Sequence, residues 1–162
     1  MSTDAQSFRP SRIWKRLPAD GRLAAALAFW REGADAATEA QAVDAIARHL
    51  KFRHKSVLAL EGDRKARYLA SLPAMPEALA ARLLVAYHLA EQRPMMEAFL
   101  DSLGMAHDHG VLAAEQVKPP GAGRLKQAAR DLLKKFPADA ATLYLETLVS
   151  QDEDTWGALR EL

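Results

Sequence analysis

Apolar residues recur along this chain with the three-to-four-residue spacing of an α-helix, and Pro or Gly interrupts the pattern at short intervals. No segment alternates apolar and polar residues as a half-buried strand does, and Val and Ile are scarce beside Ala and Leu. Ala and Leu are strong helix formers. The pattern therefore predicts an all-α fold, built as a compact bundle or layered stack of eight to eleven short helices.

The interruptions also predict where each helix lies. Residues 105–110 are predicted as a turn and residues 118–123 as a loop, because each stretch contains Gly or Pro and lacks a helical apolar face. Thr38 and Gln41 have the spacing of a capping box near the start of one helix. The predicted helices cover residues 11–17, 20–32, 35–51, 56–60, 63–72, 76–92, 94–104, 111–117, 124–136, 139–150 and 152–161.

The helix over residues 76–92 is apolar round most of its circumference, as expected of a central element. We therefore expect its leucines and alanine at positions 79, 83, 86 and 89 to be central to the core: Leu79, Leu83, Ala86 and Leu89.

A short signature occurs three times: an apolar residue, Pro and Ala, at residues 17–19, 72–74 and 136–138. The intervals are unequal, which favours a shared way of starting a helix over a tandem array, since Pro is common in the first turn. A degenerate helical repeat remains the alternative.

Length and composition indicate one folded domain. The chain has 162 residues, of which 49% are apolar and 27% charged, as in globular proteins. We predict a single all-α domain over residues 1–162 with a loosely ordered tail over residues 1–8. Cys is absent, which excludes disulfides, thiolate metal sites and cysteine nucleophiles.

Hydropathy predicts a cytoplasmic protein that does not bind membranes. The first eighteen residues lack the apolar core of a signal peptide. The longest apolar stretch covers residues 78–90 and is interrupted by Arg82 and His88, whereas a membrane span needs about 20 residues.

Charge is nearly balanced overall but uneven along the chain. The formal net charge is +1, which gives no general attraction to a polyanion. Residues 1–67 hold 13 Lys and Arg against 8 Asp and Glu, and residues 68–162 hold 9 against 13. Any nucleic-acid interface must therefore be a local patch.

The densest cationic run lies within residues 44–60 and includes Arg48, Lys51, Arg53 and Lys55. This segment resembles a helix-turn-helix motif, which implies two helices held so that the second enters the major groove of DNA. It departs from the motif at Lys51, where Gly is usual because the turn is left-handed, and in its short, apolar second helix. The alternatives are nucleic-acid contact through these four cations and a packed corner whose charges are solvated.

A second basic stripe follows the predicted helix 124–136, where Lys126, Arg130 and Lys134 repeat at every fourth position. Such a stripe can bind phosphates or an acidic partner, or it can be the solvated face of an amphipathic helix.

Motifs for catalysis and metal binding are missing from the sequence. His107, Asp108 and His109 place two imidazoles and a carboxylate in one turn, but no further ligand has a fixed spacing to them. There is no GxSxG motif and no phosphate-binding glycine loop. We predict no metal and no cofactor, and the sequence favours a non-catalytic protein.

These observations favour a protein–protein interaction module of unknown partner. The partner is another protein or a second copy of the chain, and a homodimer would form through whichever of four apolar side chains is exposed: Trp14, Phe29, Leu143 or Trp156. The alternative is a nucleic-acid-binding protein that uses the helix-turn-helix-like segment 44–60.

Overall fold

The computed structural model describes residues 8–113 and 118–161. Within these ranges the chain forms ten α-helices, one 3-10 helix and a single two-stranded hairpin, which confirms the predicted all-α fold of eight to eleven short helices. The helices are α1 (Pro10–Arg16), α2 (Ala19–Glu32), α3 (Ala36–Leu50), α4 (His54–Leu58), α5 (Gly62–Ala70), α6 (Glu77–Glu91), α7 (Arg93–Ser102), α8 (Ala122–Lys135), α9 (Ala138–Gln151) and α10 (Glu153–Trp156), followed by the 3-10 helix Gly157–Glu161.

The chain packs as two compact units. The N-terminal unit is Arg9–Ala90, and the C-terminal unit contains the chain from Glu91 onward together with Phe8. The single domain over residues 1–162 stays a prediction. Of the predicted tail, residues 1–7 lie outside the described residues, and the Phe8 ring lies 4.5 Å from the guanidinium carbon of Arg160.

In the N-terminal unit, α2 packs along α5, and α3 packs against α4 and α5. Small side chains make this close packing possible, because Ala25 and Ala26 on α2 and Ala66 on α5 are all fully buried. Ser11 of α1 donates backbone and hydroxyl hydrogen bonds to the carboxylate of Glu77 at the start of α6.

In the C-terminal unit, α8 contacts α7, α9 and the 3-10 helix. The core of this unit contains an aromatic cluster, in which the Phe99 ring lies edge-on to Tyr144 at 5.7 Å and 6.0 Å from Trp156. The Arg124 guanidinium donates to the carbonyl oxygen of Leu103 at 2.9 Å, and so satisfies an acceptor just beyond the end of α7.

The start of α3 differs from the predicted capping box. The N-cap is Asp35, whose carboxylate accepts hydrogen bonds from the backbone N–H and the hydroxyl of Thr38. The hydrogen bond from the Thr38 hydroxyl is the main reason that the pKa of Asp35 is lowered. Thr38 is therefore the third residue of the helix rather than its cap.

The predicted helix over residues 111–117 is wrong at its start. Val111 and Leu112 form a strand that pairs with His107 and Asp108, and residues 114–117 lie outside the described residues. Gly110 takes a φ of +93°, which closes the tight turn between the strands and cannot continue a helix. The predicted loop 118–123 is also shorter, because α8 begins at Ala122.

The central position expected of α6 stays a prediction, and its buried face is rotated from the predicted one. Leu79 and Leu83 are fully buried as expected, whereas Ala86 and Leu89 are only half-buried. His88 is buried in their place. The row Ala80, Leu84 and His88, spaced by four residues, faces inward and carries the histidine with it.

The four apolar side chains considered for homodimerisation are not exposed. Trp14, Phe29 and Trp156 are buried, and Leu143 is half-buried. Each packs within the fold, so none supplies an open apolar surface. No helix among the described residues combines the length and the apolar character needed to span a lipid bilayer.

The repeated signature starts a helix in two of its three occurrences. Pro18 and Pro137 are the residues directly before α2 and α9. Pro73 lies instead in the segment between α5 and α6, and α6 follows Pro76.

Candidate functional site

The end of α3 forms a sharp corner at Lys51. This residue has a φ of 56° and a ψ of 38°, the left-handed conformation that usually selects Gly at the end of a helix. The N–H of Phe52 donates to the carbonyl oxygen of Ala47 at 2.9 Å, which completes the capping arrangement. The corner thus has the left-handed turn of a helix-turn-helix motif, although its residue is Lys.

The second helix of the corner, α4, is too short for the expected groove-reading role. It contains five residues, His54–Leu58, and a helix of that length extends only about 7.5 Å. Val57 is its buried residue and anchors it. A recognition helix needs several exposed side chains along one face, and α4 has about one turn.

Four cations and two apolar residues are exposed between the end of α3 and the end of α4, and we call this set the basic corner: Arg48, Lys51, Phe52, Arg53, Lys55 and Leu58. Phe52 is 44% exposed and Leu58 is 54% exposed. Among the described residues, only Val111 in the other unit is a comparably exposed large apolar side chain. Most apolar side chains of this size are buried. Two exposed ones, one just before α4 and one at its end, therefore distinguish this segment from the rest of the described chain.

Three of the four cations of the basic corner lack an ion-pair partner among the described residues. Asp44 pairs with Arg48 at 2.9 Å through one oxygen and contacts His54 at 3.2 Å through the other. Lys51, Arg53 and Lys55 have no such carboxylate. Their charges are therefore available to an external acidic group, whereas Arg48 already pairs with its neighbour Asp44 on α3.

The second basic stripe lies on α8, in the C-terminal unit. Lys126 is half-buried and its ammonium group lies 3.3 Å from the Glu161 carboxylate, so it already has an ion-pair partner within the chain. Arg130 and Lys134 are exposed. The stripe therefore offers two open cations, fewer than the three expected from sequence. It belongs to a different compact unit from the basic corner.

The two histidines of the 105–110 turn have different surroundings. His107 Nε2 lies 2.6 Å from an Asp101 carboxylate oxygen, and its Nδ1 accepts the N–H of Gly110 at 3.1 Å. Both ring nitrogens are thus engaged in holding the hairpin. His109 is exposed. No group of three or more metal-binding side chains occurs within residues 8–113 and 118–161.

His88 is a buried ionisable group, although in the sequence it is only a polar interruption of the apolar stretch 78–90. Burial lowers its pKa to about 4, because the charged imidazolium loses its hydration. The Tyr87 ring lies edge-on to it at 5.2 Å. The signal that could have identified it is its place four and eight residues after Leu84 and Ala80, both of which are buried.

Comparison of the chain with protein-family models, curated proteins and solved structures finds no match.

Proposed function

We propose that this protein is a non-catalytic helical interaction module that binds another protein through the basic corner. One observation carries the proposal: Phe52 and Leu58 are exposed beside Lys51, Arg53 and Lys55, whose charges have no partner among the described residues. An apolar contact rimmed by unpaired charge is typical of a protein-binding patch. The cytoplasmic location predicted from the sequence is part of this proposal.

Charge complementarity indicates the kind of partner. Residues 9–90 contain 14 Lys and Arg against 8 Asp and Glu, so the N-terminal unit has a formal charge of +6. A partner segment with acidic residues around one or two apolar side chains would complement both parts of the corner. A second copy of the same corner would bring like charges together, which favours an acidic partner over a homodimer formed at this surface.

The proposal is tested by affinity capture with the tagged full chain and competition by the untagged chain. We expect to capture a protein whose binding is competed by the untagged chain. The variant that combines Phe52→Ala with Leu58→Ala should lose this partner, since both substitutions remove exposed apolar contacts without opening the core. Val111→Ala is the matched control, because Val111 is 49% exposed but lies in the other unit. A partner that is kept by the double variant, or lost equally with Val111→Ala, would contradict the proposal.

Nucleic-acid binding through residues 44–60 is the second candidate, and the left-handed turn at Lys51 and the three unpaired cations favour it. Because α4 is so short, we expect contact with phosphates and stacking on Phe52 rather than reading of base edges in a groove. Each phosphate neutralised makes the logarithm of the binding constant fall by about 0.7–0.9 per tenfold rise in salt.

This second candidate is tested by fluorescence anisotropy with labelled single-stranded and duplex 20-mers over a range of salt. Combining Arg53→Ala with Lys55→Ala should reduce the salt slope by roughly one unit per lost contact. Combining Arg130→Ala with Lys134→Ala tests the stripe on α8 separately. An absence of binding at about 50 mM salt rejects this candidate and leaves the protein-binding proposal unaffected.

A further inference from the structure

A pocket of about 310 Å³ lies in the N-terminal unit, between α1, the beginning of α2 and the segment that follows α5. Its volume is at the lower end of the range of about 300–1,000 Å³ for ligand-binding pockets. A water molecule takes about 30 Å³, so the pocket has room for about ten non-hydrogen atoms. The side chains that line it include Trp14, Lys15, Arg22, Ser71, Leu72 and Met75.

The pocket is positively charged. Lys15 and Arg22 line it, and no carboxylate does. Neither cation has an ion-pair partner among the described residues, although surface cations elsewhere in the fold, such as Arg48, have one. Two like charges facing one cavity repel each other, and an anion between them would relieve that repulsion.

Arg22 provides more specific evidence for an anion in the pocket than the charge alone. Its Nε atom is buried but finds no hydrogen-bond acceptor among the described residues. Buried N–H groups are nearly always hydrogen-bonded, because a donor removed from water without a partner is costly. An oxyanion is the natural acceptor, since a guanidinium can donate two parallel hydrogen bonds to a carboxylate or a phosphate.

The remaining walls are mostly apolar. Trp14, Leu72 and Met75 are buried and present an aromatic ring and aliphatic carbon to the cavity. The hydroxyl of Ser71 donates to the carbonyl oxygen of Tyr68 at 3.2 Å, so its oxygen is left to accept rather than to donate. The lining therefore matches a ligand with one anionic end and an apolar body.

We propose that this pocket binds a small organic anion. Its carboxylate or phosphate group pairs with Arg22 and Lys15, and its apolar body contacts Trp14, Leu72 and Met75. This inference does not depend on the proposed function, because Phe52 and Leu58 take no part in the pocket.

The test is isothermal titration of the full chain with 3-phenylpropionate and with phenyl phosphate, which have similar size and differ in the anionic group. At least one should bind with a stoichiometry of one, and the tighter of the two identifies the preferred anion. Inorganic phosphate and the uncharged 3-phenylpropanol should bind at least tenfold more weakly. These two controls separate the contributions of the apolar body and of the charge.

Arg22→Gln should weaken binding of the preferred anion at least tenfold, because it removes the charge and the donor pair. Arg64→Gln is the matched control, since Arg64 is exposed on α5 and is not part of the pocket; it should leave the affinity unchanged. If circular dichroism shows that Arg22→Gln does not fold, Lys15→Glu replaces it, because Lys15 is exposed, and the same tenfold loss is required.

The proposal is overturned if neither aromatic anion binds, if the alcohol binds as tightly as the anions, or if the pocket variant that folds binds with unchanged affinity. Inorganic phosphate binding as tightly as phenyl phosphate would overturn it as well, because the apolar walls would then contribute nothing.

Discussion

At the scale of a single residue, His88 is an ionisable side chain buried within the fold. His88 is 1% exposed on α6, and burial lowers its pKa from the ordinary 6.5 to about 4. At neutral pH it is therefore an uncharged imidazole within the N-terminal unit. The unfolded chain, in which His88 regains its ordinary pKa, binds a proton more readily than the folded protein.

We expect the stability of the protein to fall as the pH is lowered from about 6.5 toward 4. In that interval the unfolded state takes up a proton on His88 that the folded state does not, and folding becomes less favourable by about 2–3 kcal/mol at the acid end. Urea denaturation at pH 7 and at about pH 4.5 measures this loss. His88→Leu should remove most of it.

The control for this prediction is His49→Gln, since His49 is exposed near the end of α3. It should keep the pH dependence of the wild-type protein. If His88→Leu also keeps it in full, the loss of stability comes from other groups and the role given to His88 is wrong.

At the scale of a single element, α3 shows how both ends of a helix are set by local hydrogen bonds. Asp35 caps its N-terminus, and the left-handed Lys51 with the Phe52 N–H closes its C-terminus. A left-handed residue with a side chain is strained, and Gly is the usual solution. Lys51 lies in the middle of the basic corner, and its left-handed conformation sets the direction of the chain between Arg48 and Arg53.

Lys51→Gly should therefore stabilise the protein by about 0.5–1 kcal/mol, because Gly adopts this conformation without strain. Gln41→Gly is the matched control in the middle of the same helix, where Gly should cost about 1 kcal/mol. Chemical denaturation of the two variants beside the wild type measures both effects. If both variants lose stability equally, the conformation of Lys51 is not strained.

At the scale of the whole molecule, charge follows the division into compact units. The N-terminal unit has a formal charge of +6, whereas residues 1–8 and 91–162 together contain 8 Lys and Arg against 13 Asp and Glu, a charge of −5. Both proposed binding surfaces, the basic corner and the pocket at Arg22, belong to the positive unit. Its partners are accordingly expected to be anionic.

Helix α6 contributes fully buried leucines to the core. Leu83 is fully buried there, so Leu83→Ala should lower the free energy of unfolding by about 2–5 kcal/mol through lost burial and a residual cavity. Leu58→Ala removes the same atoms from a side chain that is 54% exposed and should change stability by less than about 1 kcal/mol. Denaturant titration measures both; similar losses for the two variants would contradict the assignment of the core.

The sequence alone determined the elements of the fold. Apart from residues 111–117, each predicted helix begins within two residues of an observed one, because helix spacing, Pro at helix starts and glycine stops are local signals. The run of cations around Lys51 was also visible, since charge density needs only the order of residues. The resemblance to a helix-turn-helix motif also predicted a left-handed turn at position 51, although the residue there is Lys rather than Gly.

Only the tertiary structure decided which side chains are buried and which meet. Phe29 was one of four side chains whose exposure the sequence left open, and it is buried, because on an Ala-rich helix such as α2 several faces can pack and the apolar pattern does not select one. Asp44 pairs with Arg48 within one helix, as spacing allows, but its contact with His54 depends on the turn at Lys51. The pocket brings Arg22 beside Ser71, about fifty residues later. Spacing along a chain specifies contacts within a turn or a helix, whereas burial and pockets depend on which distant segments pack together.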